Sequence, residues 1–313
     1  MAGLTHASPS VEAALPAAPR ERRFSPGREA FRRFRRHRLA AISVMILALL
    51  ALAILAGPLI WRVPINEIDF TARLSPPSFD HPFGTDDLGQ DLLARMLYGG
   101  RISLAVGFAA MAVALVAGTI IGAIAGISRG GIDAALMWIT DLFLSLPLLP
   151  VLLLIIYLFQ DALRKLVGQE IGTFVLIVAV IGGYRWMSIA RLVRAQFLSL
   201  REKEFVEAAR ALGASTLRQV VRHILPNAIG PVIVAGTIEV AYAIIVESTL
   251  SFLGLGFPPD VPSWGRILYD AKDYLDVAPH WALFAGGAIF LAVMAINYIG
   301  DGLRDALDPR RVI

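Results

Sequence analysis

EFVEAARALGASTLRQVVRHILPN, residues 204–227, is a charged, amphipathic segment set between two long apolar runs. Phe205, Ala208, Ala209 and Leu212 recur at i, i+3, i+4 and i+7, which predicts a short helix with one apolar stripe. The middle of that stripe is small, so a partner backbone has room to come close. Gly213 suits the position just after the last helical residue, and Ser215 suits the cap of a second helix. Leu217, Val220, Val221 and Ile224 give the second helix its stripe, and Pro226 is placed to stop it. Glu207 sits beside the small face, where a charge suits a salt bridge or a helix N-terminus across an interface. Two uses fit this design. One is docking onto a protein. The other is an amphipathic hairpin lying on lipid headgroups, which the seven Lys and Arg residues from Arg191 to Arg222 would suit. Glu202, Glu204 and Glu207 dilute that charge, and Ala-Ala is a poor lipid anchor, so the residues favour docking.

The rest of the chain explains where such a loop would lie. Of 313 residues, 57% are hydrophobic and 17% charged. With a mean hydropathy of +0.66, this places the chain among integral membrane proteins. There is no cysteine, which excludes disulfides, thiolate metal sites and cysteine nucleophiles. The five histidines, His6, His37, His81, His223 and His280, show no metal-ligand spacing. The isoelectric point near 9.6 does not indicate nucleic acid, because the basic residues crowd at the ends of apolar runs and so read as a topology signal.

Six transmembrane helices are predicted, an all-α arrangement, over 39–61, 102–127, 132–159, 171–190, 228–255 and 280–300. Before them, residues 1–38 read as a disordered start leading into a basic, membrane-proximal helix. Residues 62–100 form an external segment. Residues 101–300 form a core of five spans that contains the loop 191–226, and 301–313 is a tail. With the N-terminus placed inside, the inner segments hold 20 Lys and Arg and the outer ones eight, so both termini and the opening stretch are expected on the cytoplasmic side. Trp264, Tyr269 and Tyr274 are expected in the interfacial aromatic belt.

Charges inside a bilayer need partners and are functional candidates. Glu239 and Glu247 are two turns apart on one span and are candidates for the pathway or a subunit interface, as are Asp141 and Ser145. Pro147 and Pro150 follow Ser145 and predict a kink that frees carbonyls. Asp133 is expected at a helix start, and Arg185 is expected to snorkel to the cytoplasmic headgroups. Ala114, Gly118, Gly122 and Gly126 form a small-residue ladder for close packing by another helix, in this chain or in a partner.

EAARALGASTLRQVVRHILPN (207–227) resembles the EAA loop of ABC importer permeases: Glu207-Ala208-Ala209, three residues, Gly213, then Leu225-Pro226. His223 stands where that pattern carries an apolar residue. HPFGTDDLGQDLLARMLYGGRISL (81–104), ESTLSFLGLGFPPDVPSWGRIL (247–268) and NYIGDGLRDALDPR (297–310) resemble the C-type permeases of dipeptide and oligopeptide importers, and together the likeness covers most of 30–313. The resemblance implies a type I ABC importer permease fold in a bacterial inner membrane, with the loop gripped by an ATPase subunit. It implies a second homologous permease, two ATP-binding subunits, an external substrate-binding protein and peptide cargo. No cofactor is expected in this chain, and no G-x-x-x-x-G-K-[ST] phosphate loop is present. ATP and magnesium would sit on the partner subunits. Two other readings stay open: the same machine carrying nickel or another small solute, and an ion-driven secondary transporter, against which the halves show no inverted repeat.

Overall fold

The computed structural model describes residues 26–128 and 130–307, and nearly all of them are helical. Expectations for residues 1–25, Arg129 and 308–313 lie outside the described residues. Among the described residues the one isolated β-bridge joins Thr85 and Asp91. A short basic helix, α1 (Pro26–Arg36), precedes α2 (Arg38–Ile60). Then come α3 (Leu92–Ile127), α4 (Gly131–Ser145), α5 (Leu148–Val167) and α6 (Gln169–Leu200). The loop helices α7 (Glu204–Ala211) and α8 (Thr216–Gln219) lead into α9 (Leu225–Phe252), followed by α10 (Trp264–Ala271) and α11 (Pro279–Leu307).

Five stretches are long and apolar enough to cross a bilayer alone: α2, α3, α6, residues Thr216–Phe252, and α11. The pair α4 and α5, which meet at 88°, forms a further apolar stretch broken in its middle. The expected kink is therefore a full break. Leu146, the residue before Pro147, is extended (φ −75°, ψ 138°), as the proline ring requires of its predecessor. Pro147 has no N–H to give the Phe143 carbonyl four residues back. The Tyr184 hydroxyl of α6 donates to that carbonyl at 3.2 Å and to Leu146 O at 2.7 Å. Pro150 lies in the first turn of α5, where a missing N–H is tolerated.

The second crossing begins at Leu92, ten residues before the expected start. Asp91 caps it, accepting from Ala94 N at 2.7 Å. At 1.5 Å per residue α3 is about 54 Å long, well beyond the roughly 30 Å hydrocarbon core. The helix therefore extends beyond the hydrocarbon.

Helix α3 packs chiefly along α6, and the small-residue ladder is the reason. A Cβ on Gly118 would lie 2.5 Å from Ile189 Cβ and 2.6 Å from Trp186 O. One on Gly122 would lie 2.5 Å from Ala190 O, and one on Gly126 2.5 Å from Phe197 Cβ. The ladder's partner is thus inside this chain. Gly118→Leu is expected to force α3 and α6 apart, because a backbone carbonyl cannot turn aside, and to destabilise the fold by about 3 kcal/mol. Thermal unfolding in detergent measures this. Gly286→Leu on α11, where a Cβ meets nothing within 4 Å, should leave the transition in place.

A second proline is accommodated differently. Pro58 in α2 leaves Ile54 O without its helical donor. Arg101 of α3 supplies one, with Nε 3.0 Å from Ile54 O and an Nη 3.2 Å from Leu55 O. This ties the first span to the core at a point where an unsatisfied carbonyl would face lipid.

Candidate functional site

The loop between α6 and α9 is built as a closed unit. Gly213 has φ +80°, its N–H bonds Arg210 O at 2.9 Å, and Ala214 N bonds Ala209 O at 3.0 Å. These are the two bonds of a Schellman ending, and the left-handed φ is what calls for glycine. Ser215 caps α8, accepting from Arg218 N at 3.4 Å. Buried Gln219 donates to Ala214 O at 2.7 Å.

Pro226 does not end the second helix, contrary to expectation. The chain runs on as one helical stretch, Thr216–Phe252. Val220–Ile224 widens to a π turn, with Leu225 N bonding Val220 O. In a regular helix the proline ring would collide with the Arg222 carbonyl. The wider turn shifts that carbonyl aside, which is how such bulges absorb a proline.

The loop has an inner and an outer face. Val206, Ile224 and Ala228 are buried against Ile189, Val193 and Phe197, and Ala209 is buried as well. Of the expected first stripe, only Ala209 turns inward. Phe205 and Ala208 are exposed, and Leu212 is 90% exposed. Leu217 and Val221 are also exposed, at 73% and 56%. Glu207, Arg210, Arg218 and Arg222 surround them, all exposed. Exposed apolar side chains with charged residues among them in the sequence are what an interaction surface presents. Leu225 is half-buried and Pro226 exposed at the root of the loop.

In the middle of the spans lies an ion pair. Arg185 Nε and Nη2 each lie 2.6 Å from a Glu239 carboxylate oxygen. The Arg185 guanidinium lies over the Tyr242 ring at 4.1 Å. Arg185 is the 17th of the 32 residues of α6, about 24 Å from either end. The snorkelling expectation did not foresee this partner: the side chain is held by a carboxylate on another helix. Nearer the loop, Asp133 in the first turn of α4 pairs with Arg194 at 2.6 Å. Asp141 pairs with Arg191, both half or more exposed. Ser145 ends α4, its hydroxyl bonding Leu142 O at 2.6 Å.

Glu247 is fully buried. Ser251 and Ser263 donate to one of its oxygens at 2.8 and 2.7 Å, and Ser103 donates to the other at 3.2 Å. Ser263 Oγ accepts from Arg266 N, and Ser103 Oγ from Trp264 N. Each of these two hydroxyls thus receives from the backbone and has its own proton for the carboxylate. The residue joins α3, α9 and the start of α10, and everything touching it belongs to this chain. Trp264, expected at the interface, is 1% exposed and bonds Met96 O through its indole N–H. Its ring fills the space between α3 and the external segments instead.

Two further knots hold the segment between α2 and α3 in place. Asp91 accepts from Trp61 Nε1 at 2.9 Å and pairs with His81 Nδ1 at 2.8 Å. Buried Arg95 donates to Ile65 O, Asn66 Oδ1, Gln90 Oε1 and Pro259 O. It also lies 3.6 Å from Asp86. Burial raises the Asp86 carboxyl pKa, opposed by Arg95. Burial raises that of Asp270 too, opposed by Arg266. Among the described residues no group of three His, Cys, Asp or Glu side chains is arranged to hold a metal.

Sequence reasoning missed the Arg185–Glu239 pair, the serine cage of Glu247 and the Arg95 knot. The first had a signal: two lone opposite charges, each deep in a separate apolar run. The serines and Arg95 had none, since their partners are 144 or more residues away in several cases.

A bundle of long apolar helices, one of them broken, with an anchored helical loop exposing an apolar face, defines a multi-span membrane permease. The chain belongs to the family of binding-protein-dependent transport system inner membrane components, which matches residues 118–313. Residues 25–77 match the N-terminal transmembrane domain of oligopeptide transport permease C. A dipeptide transport system permease protein of Alkalihalophilus pseudofirmus is 38% identical over 97% of this chain and 98% of that one. An oligopeptide transport system permease protein of Escherichia coli K12 is 41% identical over 90% of each. A putative peptide permease protein of Brucella suis is 42% identical over 89% of each. Among solved structures, an inward-facing MetNI methionine ABC transporter chain matches with a TM-score of 0.55 at 21% identity, over 69% of this chain and 97% of that one. This last likeness concerns the fold.

Proposed function

We propose that this chain is one half of the translocation pathway of an ATP-driven importer for di- and oligopeptides. A second homologous permease forms the other half. Two ATP-binding subunits hold ATP and magnesium, and an external binding protein delivers the peptide. The loop side and both termini face the cytoplasm of a bacterial inner membrane.

The observation that carries this reading is the outward apolar face of the 204–226 loop on a rigidly closed base. The ATP-binding subunit grips Phe205, Ala208, Leu212 and Leu217. Glu207 lies at the rim, Ala209 anchors the helix below, and Gly213 fixes the angle between α7 and α8. Leu225 and Pro226 join the loop stiffly to α9, so a push on the loop reaches Glu239 through continuous helix. Transport requires that the grip differ between nucleotide states, since a contact of equal strength in both shifts nothing. Asp141 and Ser145, at the α4 break, are pathway or subunit-interface residues. Glu247 positions the external segments.

The test is co-purification from native membranes with a tag on this chain. A second permease and ATP-binding subunits should follow it. Glu207→Lys and Gly213→Val should each reduce recovery of the ATP-binding subunits at least about ten-fold while the second permease is retained. A chain that purifies with no ATP-binding subunit would end the reading.

A further inference from the structure

The Arg185–Glu239 pair sits where a permease has most reason to avoid charge. Glu239 is the 15th residue of the 28 in α9, about 20 Å from either end. The two charges thus both lie near the middle of long apolar helices that face each other. The break between α4 and α5 lies at the same level, held by Tyr184, the neighbour of Arg185. The two partners are unequally covered: the Glu239 side chain is 5% exposed and that of Arg185 is 22%. The pair uses Nε and Nη2, which leaves the Nη1 donors outside it. Tyr242 covers one face of the guanidinium.

We propose that this pair is a cargo-reading site, in which Arg185 takes the C-terminal carboxylate of the passing peptide. Glu239 is released to take the peptide's ammonium when the chain is short enough. The inference rests on the peptide reading given above.

Three physical points carry it. Charges inside apolar spans are retained for pathways or partners, and broken helices beside them are where cargo sites are built. A guanidinium fork binds a carboxylate through two parallel bonds, whichever molecule supplies it. A zwitterionic peptide brings one anion and one cation. Exchange with an existing ion pair therefore leaves no charge unpaired, and the desolvation that makes a lone charge prohibitive does not arise. An extended dipeptide spans at most about 7 Å, so both of its ends lie within reach of the two residues.

The experiment uses the full transporter with its binding protein in proteoliposomes. Uptake of a labelled dipeptide is compared with uptake of its C-terminal amide. The same binding protein serves every variant, so its own preference cancels when the ratio is compared with wild type. Arg185→Gln combined with Glu239→Gln leaves a neutral hydrogen-bonding pair. It is expected to reduce the acid-to-amide ratio at least about ten-fold. Arg185→Lys keeps the charge and loses the fork. It is expected to raise the KM for the free acid about ten-fold and that for the amide by a much smaller factor. This second variant decides the matter if the double variant does not assemble. An unchanged ratio in whichever variant assembles, even with slower uptake of both peptides, would show a purely structural ion pair and overturn the inference. Wild type that imports neither peptide would overturn the peptide reading and this inference with it.

Discussion

The Leu212→Glu protein is expected to fold and insert as wild type and to lose its ATP-binding subunits. Leu212 ends α7 with 90% of its surface exposed and contributes nothing to the packed interior. Replacing it therefore has no route to the stability of the isolated chain. Its neighbours Phe205, Leu217 and Val221 are exposed as well, so a carboxylate there would enter an apolar contact without a counter-charge. Truncating a central anchor of an interface typically costs about 2 kcal/mol, roughly thirty-fold in affinity, and a buried unpaired charge more. Titrating purified ATP-binding subunits onto the reconstituted permease pair measures this directly. Val206→Glu makes the contrast, because Val206 is fully buried against the α6 core. That variant should fail at folding rather than at binding. Wild-type affinity in Leu212→Glu would remove the outward face as the gripping surface.

Glu247→Ala is expected to be the most damaging single change in the outer half of the molecule. Ser103, Ser251 and Ser263 all point their protons at this carboxylate. Removing it orphans three buried donors and opens a cavity where α3, α9 and α10 meet. Breaking one side of a buried charged network costs about 3–5 kcal/mol. Glu247→Gln keeps the volume and one acceptor but turns an amide donor toward a serine, and should fall between the two. Hydrogen exchange resolves where the damage lies: amides of 253–278 should lose protection first, while those of the α3–α6 seam keep it. Equal protection in Glu247→Ala and wild type would mean that the hydroxyl cage does not hold the external segments.

These two residues mark opposite ends of what a sequence reveals. The loop was legible because its signals are local. Gly213 ends α7 in the backbone conformation that glycine suits, and Ser215 caps the next helix from its own position. The spacing of Phe205, Ala208, Ala209 and Leu212 gives a helix whatever surrounds it. Glu247 was recognisable only as a charge in an apolar run. Pro226 was misread for a related reason: the local rule for proline is to stop a helix, and a π turn, which reads no differently from ordinary helix in sequence, let the chain continue. Arg185 was read as a lone charge because its partner Glu239 lies 54 residues away on another helix.

The amino-acid sequence by itself determined that this chain is built of long apolar helices suited to a bilayer, where one of them breaks, and that one loop is a pair of short amphipathic helices. Those properties follow from composition, helical period and the chemistry of glycine and proline, all of which act within a few residues. Tertiary structure decided what the charges are for. It paired Arg185 with Glu239 across 54 residues, closed the serine cage around Glu247 across 144, and turned Leu212 outward and Val206 inward on the same short helix. The physical reason is the bilayer. Hydrophobic burial does not select among apolar helix faces there, so partners are fixed by close-packing small residues and by satisfying buried polar groups. Both depend on which distant residue arrives.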